Sequence, residues 1–187
     1  FQFLANLDTY LKASFPELLH VSQFATSYGL PWARATTFQF EDQKHKIEGA
    51  TAGEDFFKMF SYPLIEGSAA QALKDINSIA ISEKMARLFF DSPKAAIGQL
   101  IRYENTRDLK VTAVFKDLDN RSSLQFEYLI SWENTVKGQV LLSEDMYTNF
   151  IQLVPGADPD AFATKLKDFQ NQRFDYQPGY GVDMGIQ

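Results

Sequence analysis

Ala50-Thr51-Ala52-Gly53-Glu54-Asp55-Phe56-Phe57-Lys58-Met59-Phe60-Ser61-Tyr62-Pro63-Leu64-Ile65-Glu66-Gly67 is the stretch from which the fold can be read outward. Glu54 and Asp55 place negative charge on the first turn of a short helix, where unpaired backbone amides favour it, and Phe56, Phe57 and Phe60 recur at helical spacing. Pro63 stops that helix, and Gly67 with Ser68 punctuates the next turn. Upstream, residues 45–52 carry Ile47 among polar neighbours and pair as a hairpin with a strand over residues 34–40, the polar Glu41-Asp42-Gln43-Lys44 lying between them. Before that, residues 18–27 read as a strand broken from the next by Gly29-Leu30-Pro31. At the start, Phe3, Leu4, Leu7, Tyr10, Leu11 and Phe15 form one apolar helical face that Pro16 closes.

Downstream, residues 77–81 form a short strand, and Ser82 caps a helix over residues 83–90 whose Met85, Leu88 and Phe89 are expected to face inward. A second hairpin joins residues 99–103 to 109–115 through the polar turn Glu104-Asn105-Thr106-Arg107-Asp108. Residues 124–131 and 147–154 add two strands, with 132–146 between them unassigned. Asp158 suits the cap and Pro159 the first turn of a last helix, on which Phe162, Leu166 and Phe169 share a face. After Gln170 the sequence turns polar and Gly-rich, as in a tail lying along the surface. The expected class is α+β, with antiparallel hairpins and packed helices.

Composition bounds the function. The 187 residues suffice for one domain or two small lobes, and 45% hydrophobic and 14% aromatic residues supply ample core, which excludes disorder over most of the length. A net charge of -6 without a basic run opposes nucleic-acid binding, since phosphate contacts need clustered Lys and Arg. Without cysteine there is no disulfide framework, thiol catalysis or Cys-ligated zinc. The apolar runs are only a few residues long, as in Leu88-Phe89-Phe90, whereas a membrane-crossing helix needs about 20. The chain starts at Phe1 without a signal-peptide pattern, so it is expected to be either cytosolic or a segment of a longer protein.

Catalytic groups are sparse. His20 and His45 lie on separate strands, neither with a second His or Cys at ligand spacing, and read as surface or rim histidines. Gly67-Ser68-Ala69 lacks the second glycine of a nucleophile elbow. Asp117 with Asp119, and Asp158 with Asp160, could bind a hard cation or act as acid and base, yet the first pair suits a turn and the second a helix cap. No glycine-rich phosphate loop occurs. The sequence therefore offers no catalytic, cofactor or metal site, and leaves the partner-binding residues unknown.

The opening stretch resembles the MacB-like periplasmic core domain of FtsX-like ABC-transporter permeases, of the type abundant in Bacteroidetes. Further blocks follow in the family's order: Ala72-Leu73-Lys74-Asp75-Ile76-Asn77-Ser78-Ile79-Ala80-Ile81-Ser82-Glu83-Lys84-Met85-Ala86 through Phe90, then Ala96-Ile97-Gly98-Gln99. Val111-Thr112-Ala113-Val114-Phe115-Lys116-Asp117, Ser122-Ser123-Leu124-Gln125-Phe126-Glu127-Tyr128-Leu129-Ile130-Ser131 and Leu153-Val154-Pro155-Gly156-Ala157-Asp158-Pro159 complete the likeness. Residues 1–40 and 132–146 contribute least to it.

The resemblance implies an extracytoplasmic, periplasmic domain of an inner-membrane permease, without catalysis or cofactor, flanked by transmembrane helices before Phe1 and after Gln187. It implies a cognate ATP-binding subunit whose motion the domain transmits, a possible permease dimer and a possible envelope protein or peptide substrate. It also implies two lobes, one from residues 1–75 with 132–187 and the other from 76–131. Two other readings are set beside it. The aromatic content would suit a free-standing envelope module that binds a peptide, lipid or small ligand, and the carboxylate pairs would suit a hydrolase.

Overall fold

The computed structural model describes residues 7–26, 35–137 and 148–173. In chain order these form α1 (Leu7–Ser14), β1 (Leu18–Thr26), β2 (Thr36–Phe40), β3 (Gln43–Ile47), β4 (Ala50–Ala52), α2 (Phe56–Met59), β5 (Leu64–Gly67) and β6 (Ser78–Ser82). There follow α3 (Glu83–Phe90), α4 (Pro93–Ala96), β7 (Leu100–Tyr103), β8 (Arg107–Phe115), β9 (Tyr128–Ser131), α5 (Glu133–Val136), β10 (Thr148–Leu153) and α6 (Pro159–Arg173).

The strands make one mixed sheet in the order β10-β1-β4-β9-β6-β8-β7-β2-β3, with β5 pairing to β8 off this path. Hairpin neighbours are antiparallel, as expected, while β4 with β9 and β6 with β8 run parallel. β8 is long enough to hold β7 against Arg107 to Lys110 and β5 against Ala113 to Phe115, with β6 along its other side.

The central strands are covered on both faces. Ile79 and Ile81 of β6 and Tyr128 and Ile130 of β9 join a core beneath α3 and α4, while Ala80 and Leu129 turn to an opposite core with Phe24, Phe56, Phe115 and Phe126. A third core holds Leu11 of α1 and Phe15 just after it with Val21 of β1 and Phe162 and Leu166 of α6. Parity along β1 separates the last two cores, since Val21 and Phe24 point to opposite faces.

Local chemistry sets the boundaries. The Ser82 side chain accepts from the Met85 amide at 3.0 Å, and Asp158 Oδ1 accepts from the Asp160 and Ala161 amides at 2.9 and 3.2 Å. The last helix continues to Arg173, and residues 1–6, with the polar tail from 174 onward, lie outside the described residues.

Several boundaries differ from the expectation. The first hairpin turns in two residues, Glu41 and Asp42, with Glu41 at φ 51°, so Gln43 and Lys44 belong to β3. β3 then stops at Ile47 instead of running to Ala52. The chain crosses the face of Tyr128 at Gly49, where a Cβ would come within 2.4 Å of the ring, and then joins the centre of the sheet as β4. The second turn holds Glu104, Asn105 and Thr106, its first two residues at φ 48° and 55°, and releases Arg107 and Asp108 to β8. Only residues 128–131 of the 124–131 segment are a strand; Leu124 and Phe126 reach the core from irregular backbone. Leu88 is exposed rather than inward, because Met85, Ala86, Phe89 and Phe90 define the buried face and Leu88 lies on the far side of the helix.

Candidate functional site

The residues singled out by type do not converge. His20 is on β1 near one end of the sheet, whereas His45 is on the β3 edge with its ring edge-on to Phe89. Asp117 Oδ1 accepts from the Lys84 amide at 2.8 Å, at the start of α3. Asp119 instead folds onto its own turn, accepting from the Arg121 amide at 2.9 Å and pairing with the Arg121 guanidinium, which holds its carboxyl below the usual range. Asp158 caps α6. Gly67 sits at φ 84°, where a Cβ would come within 2.5 Å of the Thr112 carbonyl oxygen, and the Ser68 carbonyl accepts from the Gln71 and Ala72 amides. Among the described residues no group of three or more His, Cys, Asp or Glu is placed to hold a metal ion.

Among the described residues, the aromatic cluster around Phe56 is spent on packing. Phe56, fully buried, lies within ring-contact distance of Phe24, Phe57, Phe60, Tyr62 and Phe126. A surface depression of about 610 Å³ lies elsewhere, over β2 and β7 between Gln39, Glu41, Leu100, Arg102 and Asp108. Its Arg102 and Asp108 are already ion-paired to each other at 3.2 Å.

One constellation does join distant parts of the chain. Asp55 is only 3% exposed, yet Lys12 of α1 reaches its Oδ2 at 2.7 Å and Lys58 of α2 reaches its Oδ1 at 2.7 Å. His20 Nδ1 stands 3.6 Å from the same Oδ2. Burial works to raise the Asp55 pKa, but the hydrogen bonds and charges of Lys12 and Lys58 outweigh it and hold the carboxyl at about 2. The turn that carries Asp55 is seated on β1: the Gly53 amide donates to the Gln23 carbonyl at 3.0 Å, and a Cβ on Gly53 would meet Ser22 Oγ and Gln23 Oε1 at 2.9 Å. A charged triad of this kind binds elements together, and a lysine on each oxygen favours the ionised carboxylate.

In the sequence Asp55 reads only as charge on a helix's first turn. The Lys58 partner was visible three residues on, but nothing in the sequence locates Lys12, 43 positions away.

The sequence profile of the MacB-like periplasmic core domain matches residues 4–169. No curated protein matches the chain. Among solved structures it is similar to a domain ascribed to a permease of Porphyromonas gingivalis, at 22% identity and TM-score 0.69 over 90% of this chain and 76% of that one. It is also similar to the periplasmic region of MacB from Actinobacillus actinomycetemcomitans, at 11% identity and TM-score 0.62 over 89% and 72%. A third similar fold is the extracellular domain of the noncanonic ABC-type transporter YknZ from Gram-positive bacteria, at 14% identity and TM-score 0.56 over 89% and 82%.

Proposed function

The chain belongs to the family of MacB-like periplasmic core domains, the periplasmic part of ABC-transporter permeases, and from that premise we propose that it is a non-catalytic body that transmits ATP-driven motion. Its partners in this reading are the permease's own membrane helices and a cognate ATP-binding subunit at the inner membrane, with an envelope protein or peptide as the cargo class. The permease acts singly or as a dimer.

What supports this reading is the route from the first and last described helices to the sheet. α1 and α6, the first and last described helices, pack on each other in a core of their own over β1, and Phe15 meets Phe162 and Phe169 edge-on, each at 5.3 Å. A push on either helix is therefore delivered to one side of the sheet. Doubly covered strands then carry it inward, because closely packed layers deform little and move as units. We place the two lobes at residues 1–75 with 132–187 and at 76–131. The core beneath α3 draws chiefly on residues 79–130, and the β2–β3 hairpin of the first lobe is hydrogen-bonded onto β7 of the second.

No helix among the described residues is long and apolar enough to cross a membrane, so the anchoring helices would be supplied by the rest of the permease. The test uses the full permease, with any cysteine outside these 187 residues replaced by serine and Leu100, 56% exposed, replaced by cysteine. A membrane-impermeant maleimide added to cells with a permeabilised outer membrane labels it in this reading. Labelling that requires rupture of the inner membrane would refute the placement.

A further inference from the structure

β3 ends the sheet and pairs with β2 alone, so one of its edges carries no strand among the described residues. Which backbone groups lie on that edge follows from β2. The Thr37 amide donates to Glu104 Oε1 and the Thr37 carbonyl accepts from the Glu104 amide, so Thr37 is turned toward β7. Alternation along an antiparallel strand then turns Thr36, Phe38 and Phe40 toward β3, where they face Ile47, His45 and Gln43. The amides and carbonyls of Lys44 and Lys46 are left on the open edge, without a hydrogen bond among the described residues.

The side chains of these two residues share a face. His45 meets the ring of Phe89 and Ile47 packs against the core beneath α3, so Lys44 and Lys46 project on the opposite side of the strand. Both are exposed, and neither has an ion pair among the described residues. The neighbouring carboxylates lie at the strand's ends, Glu41 and Asp42 in the turn before it and Glu48 after it, while Glu127 is held by the Ser82 hydroxyl and the Lys84 ammonium. On the helix side, a depression of about 270 Å³ opens between the end of β3 and α3, lined by Ile47, Met85 and Leu88. Leu88 is 38% exposed there.

We propose that the open edge of β3 is a docking site for an extended segment of another protein in which acidic residues alternate with apolar ones. The segment adds to the sheet as a further strand through the backbone groups of Lys44 and Lys46. Its acidic residues stand opposite the two lysines, and an apolar residue on its other face enters the depression and covers Leu88. Lysine on an edge deters unselective pairing, and opposite an acidic strand the same charge becomes an attraction. Two β3 strands paired antiparallel over their full length would set Lys44 of each against Lys46 of the other, which disfavours a second copy as the occupant. The inference needs only this edge and holds whether or not the domain transmits motion.

The test uses the full permease in lipid nanodiscs and a fluorescein-labelled peptide of alternating glutamate and valine, with its lysine–valine counterpart as the control. Anisotropy reports affinity, and hydrogen exchange of fragments covering residues 43–47 reports strand addition. The glutamate–valine peptide binds and slows exchange over 43–47, and the control does neither. Lys44→Glu with Lys46→Glu weakens the first peptide by about ten-fold or more and makes the lysine–valine peptide the better ligand, which a merely damaged strand would not do. Leu88→Asn weakens both peptides on their respective partners. Absence of binding, binding that leaves residues 43–47 unprotected, or affinity that survives the charge reversal overturns the site. Protection of 43–47 that rises with permease concentration without any peptide assigns the edge to a second copy and overturns it as well.

Discussion

Asp55 shows how far a single residue's role depends on partners that only folding supplies. Its folded pKa of about 2 lies below the ordinary 3.8, so the unfolded chain takes up the proton first as pH falls. The stabilisation is therefore complete above about pH 4 and is lost between 3.8 and about 2, a difference on the order of 2 kcal/mol. Asp55→Asn is expected to lower unfolding stability by about that amount at pH 7, with the gap to the unaltered protein closing as pH approaches 2. Urea titrations across that range would show it, and a gap that persists at low pH would mean the loss is steric. Residue types were legible here and their pairing was not. Gly53-Glu54-Asp55-Phe56 announces a helix start, but a lysine on another helix is brought near only by the core that Leu11 and Phe15 build.

At the scale of elements, termini followed local chemistry closely. Ser82 shows why: its hydroxyl accepts from the Met85 amide and donates to Glu127, so Ser82→Ala is expected to cost about 1–2 kcal/mol, measured by chemical unfolding. Two glycines with similar φ separate backbone strain from crowding. Gly98, at φ 83°, has open space around its missing Cβ, so Gly98→Ala should cost about 1–2 kcal/mol for the left-handed backbone alone. Gly67, at φ 84°, would drive a Cβ to 2.5 Å from the Thr112 carbonyl, so Gly67→Ala should cost clearly more. Equal effects in thermal melts would show that β5 can shift away from β8. Where the expectation missed, the cause was nonlocal. β3 ends early because the ring of Tyr128, 79 residues beyond Gly49, occupies the path of the chain. Leu88 faces out because the helix buries a stripe of Met85, Ala86, Phe89 and Phe90 against the sheet and Leu88 lies off that stripe.

Across the whole molecule, the cores on the two faces share β6 and β9, which makes them one cooperative unit. Phe56→Ala is expected to cost about 3–5 kcal/mol and to shift a single calorimetric transition instead of splitting it. A separate low-temperature step would mean that the face with Phe56 unfolds alone. By itself the sequence determined the class, the hairpins, the helix caps and the family likeness, because alternation, helical spacing, turn residues and capping groups act within a few positions of one another. The tertiary structure alone decided the strand order, the parallel pairs β4–β9 and β6–β8, and the joining of Lys12 to Asp55. Those depend on which apolar faces meet across long stretches of chain, and burial is a property of the assembled layers that no local pattern encodes.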